Sequence, residues 1–354
     1  MFNKLFAMWK ILNNDLAIDM GSANTLISIK GKDGVQLNEP SIVAIQNDEG
    51  KKTVVAVGED AKKLMGRTSA DITADSPLCA GIIIKDSIAE IMMKNFINKV
   101  SDTDILRPSP RIFLSVPSSA TEVERRIFKE VLADAGARNV FLIESPMAAA
   151  LGAGLPIESE KASMIVNMGA GITEIGVISL KKIIKAKTLK VGGNDLDEAI
   201  MSYIRRVDAI KIGVESAEKI KKTLATAIED EALEENSMNV RGQLVQSGLP
   251  VKFEINQKEV LFALAETYEQ IITGIISLIE SLPTQVATDL YENGIHLCGG
   301  TSNINGIGKL IESFTGLKVT LVPEPTLCVI RGLKVAMDMY NTKGAQWDKK
   351  RKTY

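Results

Sequence analysis

Two short segments of the chain carry residues whose types and spacing suit the handling of phosphate. Ile18 to Ile29 reads IDMGSANTLISI, and Val166 to Val177 reads VNMGAGITEIGV. At an offset of 148 residues they pair Asp19 with Asn167, Met20 with Met168, Gly21 with Gly169 and Thr25 with Thr173. Small residues at each tip let backbone N–H groups approach an anion closely, and two tips facing one another would grip a polyphosphate from both sides. One glycine turn is weak evidence, but two copies separated by a whole α/β unit imply a duplicated fold. Gly299-Gly300-Thr301 adds a third glycine turn, after a strand and leading to a helix N-terminus.

Strands and helices must position these turns. Leu16 to Asp19 and Thr25 to Ile29 read as strands around Gly21-Ser22-Ala23-Asn24, with further strands at Ile42 to Ile45 and Val54 to Val57. Ser87 to Val100 reads as an amphipathic helix. Ile112 to Val116 is a buried strand ending at Pro117, after which Ser119 or Thr121 can cap a helix that Gly136 stops. Phe141 to Ile143 is the next strand, and Pro146 to Gly152 opens a small-residue helix. Met164 to Val166 and Thr173 to Ile178 repeat the strand–turn–strand pattern. Helices are expected at Glu215 to Ile228 and Glu259 to Leu282, and a strand at Ile295 to Cys298. Such alternation indicates a layered α/β architecture. Five lysines between Lys181 and Lys190, and the acidic run Glu229 to Glu235, are expected on solvated faces.

Composition bounds the function. A chain of 354 residues exceeds the usual single domain, so two or three are expected. The 42 Lys+Arg nearly cancel 44 Asp+Glu and aromatics are 5%, leaving neither a cationic field nor stacking platforms; no nucleic-acid partner is expected. Cys79, Cys298 and Cys328 are too few and scattered for a disulfide framework or a four-thiolate zinc site, which fits a reducing, cytoplasmic compartment. The single histidine, His296, excludes a multi-histidine metal centre and reads as a satisfied core imidazole between Ile295 and Leu297. No 18-residue apolar run suggests a membrane span. The first twelve residues, however, place Phe2, Leu5, Phe6 and Trp9 on one helical face, with Asn3, Lys4 and Lys10 opposite. Such a helix could lie in an anionic membrane interface, dock on the protein's own core, or hang free; aromatics beside lysines favour lipid.

From about Asp15 to Asp338 the chain resembles the actin, heat-shock ATPase and sugar-kinase superfamily and, within it, the MreB family of bacterial actins. ANTLISIKG, LNEPSIVAI, LRPSPRIFLSVP, ESPMAAALGAGLP, VGGNDLDEAI and GIHLCGGTSNINGI carry the likeness. The resemblance implies an α/β, actin-like (ribonuclease H-like, duplicated) fold, with two lobes of two subdomains each around a nucleotide cleft. The expected division is 1–14 as N-terminal amphipathic helix; 15–148 plus 318–340 as first lobe, with a small subdomain at about 33–80; 149–317 as second lobe, with a small subdomain at about 191–252; and 341–354 as basic tail. It implies ATP or ADP with Mg²⁺ as ligands. Gly21, Ser22, Ala23, Asn24 and Thr25 would form the first phosphate loop, and Gly169, Ala170 and Gly171 the second. Gly192 and Gly193, with Glu218 and Lys221, would line ribose and base, and Gly299, Gly300 and Thr301 would close the adenosine side. Asp19 and Asn167 would face the metal, largely through water.

The sequence departs from that family at three places. Two glutamates usual before the proline at Pro146 are here Glu144 and Ser145, and the usual Asp-x-Gly-Gly-Gly-Thr loop is Asn167-Met168-Gly169-Ala170-Gly171-Ile172. A water-orienting carboxylate, a metal-side carboxylate and a hydroxyl are thus replaced together, which implies slow hydrolysis with binding retained. Glu144 or Thr173, one position away, are the alternative groups for the missing work.

The resemblance implies self-association into filaments that support bacterial cell shape, or motility in a wall-less bacterium, with paralogous actin-like proteins as further partners. The expected location is cytoplasmic, peripheral on the inner face of the membrane. Ile105 and Leu106 sit where the family carries an apolar lipid-inserting loop; burial at the start of a core strand is the alternative. A small-metabolite kinase of the same superfamily is the rival function. A chaperone-type ATPase is disfavoured, because the 14 residues after Tyr340 leave no room for a peptide-binding domain.

Overall fold

The computed structural model describes residues 15–48, 51–65, 72–101, 109–229, 233 and 235–343. Phe2, Leu5, Phe6, Trp9, Ile105, Leu106, the basic tail and most of the acidic run lie outside the described residues. The chain forms two compact units, Met1–Leu155 with Leu327–Tyr354, and Pro156–Thr326.

In the first unit, β1 (Leu16–Met20) and β2 (Asn24–Ile29) form a hairpin that β3 (Leu37–Pro40) extends antiparallel. A separate three-stranded sheet holds β4 (Val43–Asp48), β5 (Lys51–Val57) and β6 (Ile72–Asp75), with α1 (Glu59–Leu64) between the last two; β7 (Leu78–Cys79) and β8 (Ile82–Ile83) make a short ribbon. After α2 (Asp86–Val100), β9 (Arg111–Val116) pairs parallel with β1. Then α3 (Glu122–Asp134) returns the chain to β10 (Asn139–Glu144), parallel to β9.

Local chemistry explains the boundaries. Thr121 caps α3 by accepting from the Glu124 amide at 3.3 Å, while the Glu124 carboxylate accepts from the Thr121 amide at 2.7 Å. Phe128, Val131 and Leu132 give α3 its buried stripe. Against the sheet they meet Ile18, Ile27, Ile112, Leu114 and Phe96. The next helix, α4 (Ser145–Gly152), is rich in alanine for a steric reason: it crosses the C-terminal helix Cys328–Lys343 at backbone contact. A Cβ on Gly152 would overlap the Cys328 carbonyl, and one on Gly332 would overlap the Ala148 carbonyl.

The second unit repeats the scheme. Strands β11 (Ser163–Met168), β12 (Thr173–Ser179) and β13 (Lys182–Leu189) are antiparallel neighbours. The helix α5 (Gly193–Val207), β14 (Ile210–Lys211), α6 (Val214–Leu224), β15 (Ser237–Leu244) and β16 (Pro250–Asn256) follow, the three strands forming an antiparallel sheet with β15 in the centre. After α7 (Gln257–Glu280) and α8 (Thr284–Asn293), β17 (Ile295–Cys298) pairs parallel with β11. Then α9 (Ile307–Thr315) leads to β18 (Val319–Leu321), parallel to β17. The two large sheets therefore run β3-β2-β1-β9-β10 and β13-β12-β11-β17-β18, each with three antiparallel strands followed by two parallel ones.

Several expectations change. Because β18 pairs with β17, residues 318–326 belong with the second unit and not with the first. The Glu215–Ile228 helix ends at Leu224, where Ala225 turns extended and Thr226 bridges to Asn305. The lysine run forms a strand, β13, with Lys181, Lys182, Lys185 and Lys190 exposed as expected; Lys185 donates to the Ser281 carbonyl at 3.1 Å, at the electron-rich end of α7. Helix α7 itself is long and apolar enough to cross a membrane by length and composition. Its Val260, Leu264, Ile271 and Ile275 are wholly buried with Met164, Val166 and Leu297, so the unit's own core takes up its apolar face. His296 is less satisfied than expected: its Nδ1 has no partner among the described residues, and burial lowers its pKa despite a hydrogen bond with the Met164 backbone.

Candidate functional site

The two hairpins turn identically. In the first unit the ladder closes at Met20 opposite Thr25, and the Gly21 amide donates to the Asn24 carbonyl at 3.0 Å. In the second it closes at Met168 opposite Thr173, and the Gly169 amide donates to the Ile172 carbonyl at 2.9 Å. Residues 22–23 and 170–171 are left at the tips, outside both ladders. Burial repeats too, since every residue of β1 is buried except half-buried Asp19, and every residue of β11 except half-buried Asn167. The strands are covered on both faces, and each opens at one polar residue beside its tip.

In the first unit Ser115, on β9, donates to the Asp19 carboxylate at 2.6 Å. Burial raises the Asp19 pKa and this hydrogen bond opposes the rise. Ser41 donates to the Gly21 carbonyl at 2.6 Å and shares a 2.9 Å hydrogen bond with Thr25, bracing the tip from below. Both serines lie in stretches that carry the family likeness, yet no role was expected of either; Ser115 reaches the hairpin through strand pairing, and Ser41 from the turn after β3, where its amide also donates to the Ala23 carbonyl.

In the second unit the expected ligand-lining residues brace the hairpin. The Gly193 and Asn194 amides donate to the Gly169 and Ala170 carbonyls at 3.0 and 2.8 Å, and the Thr301 hydroxyl donates to Gly169 O at 2.8 Å. The Gly192 amide is held by the Asp195 carboxylate at 2.7 Å. No side chain fits at Gly192, where a Cβ would stand 2.6 Å from the Ala170 carbonyl oxygen, or at Gly299, whose φ of 87° presses it against Met168 O. Lys221 is an inner support: its ammonium donates to Gly193 O at 2.6 Å and to the buried Asp197 carboxylate at 2.7 Å. Burial raises the Asp197 pKa, and Lys221 opposes the rise. Glu218 pairs with Lys222, one turn on, and its charge adds to the rise of the Asp197 pKa.

The groups considered for activating water are all engaged. The Ser145 hydroxyl is buried and donates to the Val116 carbonyl at 3.0 Å. Glu144 pairs with Arg125 at 3.1 Å, and buried Thr173 donates to the Val191 carbonyl at 2.9 Å. Ile172 presents only hydrocarbon. No cluster of three or more His, Cys, Asp or Glu able to hold a metal occurs among the described residues. Asp19, beside the first tip, offers a hard carboxylate, a donor that suits Mg²⁺ when phosphate oxygens and water complete its shell.

Comparison with known proteins fits this geometry. The profile of the MreB/Mbl protein family matches residues 13–345. The cell shape-determining protein MreB of Escherichia coli is 41% identical over 336 residues, covering 94% of this chain and 96% of that protein. The cell shape-determining protein Mbl of Bacillus subtilis is 37% identical over 324 residues, covering 92% and 96%. Among solved structures, MreB5 of Spiroplasma citri bound to AMPPNP superposes with a TM-score of 0.86 at 31% identity, over 94% of this chain and 98% of that one. Its ADP-bound form gives 0.87 at the same identity. The MamK double helical filament gives 0.75 at 19% identity, a likeness of fold alone. The duplicated sheets, the matched hairpins and these relatives together make the chain an actin-like member of the MreB/Mbl family.

Proposed function

We propose that this chain binds ATP or ADP with Mg²⁺, polymerises into cytoskeletal filaments on the inner face of the bacterial membrane that support cell shape or motility, and hydrolyses ATP slowly. The nucleotide-bound MreB5 structures and the repeated phosphate-type hairpins support the nucleotide reading. The cell shape-determining relatives support the cytoskeletal role. Tip amides at residues 22–23 and 170–171 would meet phosphate oxygens, and Asp19, held by Ser115, would face the metal. Mg²⁺, when bound, neutralises phosphate charge.

The observation that carries slow hydrolysis is the fate of the would-be activating groups. Ser145 and Thr173 spend their hydroxyl protons on backbone carbonyls, Glu144 spends its charge on Arg125, and Ile172 has none to give. Phosphoryl transfer needs an oriented, polarised water, so binding survives here while turnover falls. Membrane attachment would rest on Phe2, Leu5, Phe6, Trp9, Ile105 and Leu106, each contact weak alone and multiplied along a filament.

Electron microscopy and sedimentation of the purified chain with ATP test the reading. Pelletable filaments with a regular subunit repeat are expected. A protein that binds nucleotide yet stays monomeric at every concentration would contradict it, and transfer of phosphate to an added small metabolite would favour the kinase.

A further inference from the structure

The repeat extends beyond the hairpins to the strand beside each. Asp19 neighbours Ser115 across the β1–β9 pair, and Asn167 stands opposite Cys298 across the β11–β17 pair. Each half-buried polar residue thus receives a donor from the same place in its sheet: the Ser115 hydroxyl to Asp19 Oδ1 at 2.6 Å, and the Cys298 thiol to Asn167 Oδ1 at 3.7 Å. Chemically the two arrangements differ. Both oxygens of the Asp19 carboxylate remain acceptors, so one can serve Ser115 and the other a cation. Asn167 has one oxygen, and it is turned to Cys298, lodged where a Cβ on Gly299 would stand 2.7 Å away. The Asn167 Nδ2 has no hydrogen-bond partner among the described residues and belongs to the one half-buried residue of its strand, beside the tip at Gly169.

We propose that Asn167 meets a bound nucleotide as a hydrogen-bond donor to a phosphate oxygen, so that the second unit holds phosphate without a metal, while Asp19 alone serves Mg²⁺. The proposal rests on the nucleotide reading above and gives that site a specific chemistry: an amide N–H₂ where a carboxylate would repel phosphate unless a cation intervened. Cys298 acts through Asn167 by fixing which end of the amide faces outward. Any dependence of binding on Mg²⁺ then comes through Asp19, and a second carboxylate at position 167 adds to it.

The test measures ADP binding by calorimetry in excess Mg²⁺ and in EDTA, for the unaltered chain, Asn167→Asp and Asn167→Ala, with folding checked by circular dichroism. The unaltered chain should lose less affinity than Asn167→Asp when Mg²⁺ is removed, because only Asp19 is then left uncompensated. Asn167→Asp should lose at least about ten-fold more in EDTA and regain it with Mg²⁺; Asn167→Ala should weaken by about ten-fold in both buffers. Equal Mg²⁺ dependence in the unaltered chain and Asn167→Asp would overturn the proposal while leaving nucleotide binding intact. A folded chain that binds ADP in neither buffer would overturn the nucleotide reading and the proposal with it.

Discussion

The two units share a topology and a turn but differ in what they place at it. The first holds a carboxylate, Asp19, beside a strong hydroxyl donor; the second holds an amide, Asn167, beside a weak thiol donor. Their supports differ as well. The first unit braces its tip with serine hydroxyls and sets α4 against the C-terminal helix at backbone contact, whereas the second uses helix amides, Thr301 and a buried Lys221–Asp197 pair. A duplicated fold fixes the turn, and the side chains placed beside it decide what chemistry each copy offers.

The largest effect should come from the helix crossing. Gly332→Ala drives a Cβ into the Ala148 carbonyl, a backbone atom that cannot step aside, and should destabilise the first unit by about 4 kcal/mol or more. In the second unit Gly274→Ala meets a side chain, Leu189, that can turn aside where backbone cannot, and gains helix propensity, so a loss well below that of Gly332→Ala is expected. Denaturant unfolding of the two variants compares them directly, and equal losses would break the contrast.

Next is Lys221→Met, which strands the buried Asp197 and should lower stability by about 3 kcal/mol. The pH dependence follows from the raised Asp197 pKa. A carboxyl raised on folding binds protons more readily folded than unfolded, so stability falls as pH climbs from the ordinary aspartate value of about 4 through the raised one. Removing Lys221 takes away the opposing charge, and the melting temperature should drop more at pH 7 than at pH 4. A variant most stable at neutral pH would remove Lys221 from this role.

Smaller effects test the matched donors. Ser115→Ala should cost about 1–2 kcal/mol and push the Asp19 carboxyl further up, because the hydrogen bond that opposes the effect of burial is lost. Cys298→Ser gives the second unit the donor of the first and should change stability by less than about 1 kcal/mol. Calorimetry and thermal melts read both; a reversed order would mean that the thiol, and not the hydroxyl, is the stronger partner.

The hairpins were legible in the sequence because tight turns and close backbone approach restrict the choice to small residues, and a restriction imposed twice leaves a visible repeat. Thr121 and Gly136 marked the α3 ends through capping and positive φ in the same way. Ser115, Cys298, Ser41 and Asp197 were not legible, since pairing between strands and packing between helices bring them to the site from distant parts of the chain. Strand β13 was hidden by its lysines, which are largely solvated as the sequence suggested but alternate with Ile183 and Ala186 in a strand paired to β12. Gly192, Gly193, Lys221 and Thr301 were expected, from the resemblance, to line a ligand. Their hydrogen bonds to the second hairpin and its supports appear only in three dimensions.

The account turns on whether nucleotide binding and hydrolysis are uncoupled, and phosphate release per subunit under filament-forming conditions measures this most directly. The unaltered chain should bind ATP but release phosphate far more slowly than Ser145→Glu with Ile172→Thr, which restores a carboxylate and a hydroxyl that act on one water and should therefore be non-additive. Brisk release from the unaltered chain, or no gain in a folded, ATP-binding double variant, would contradict it.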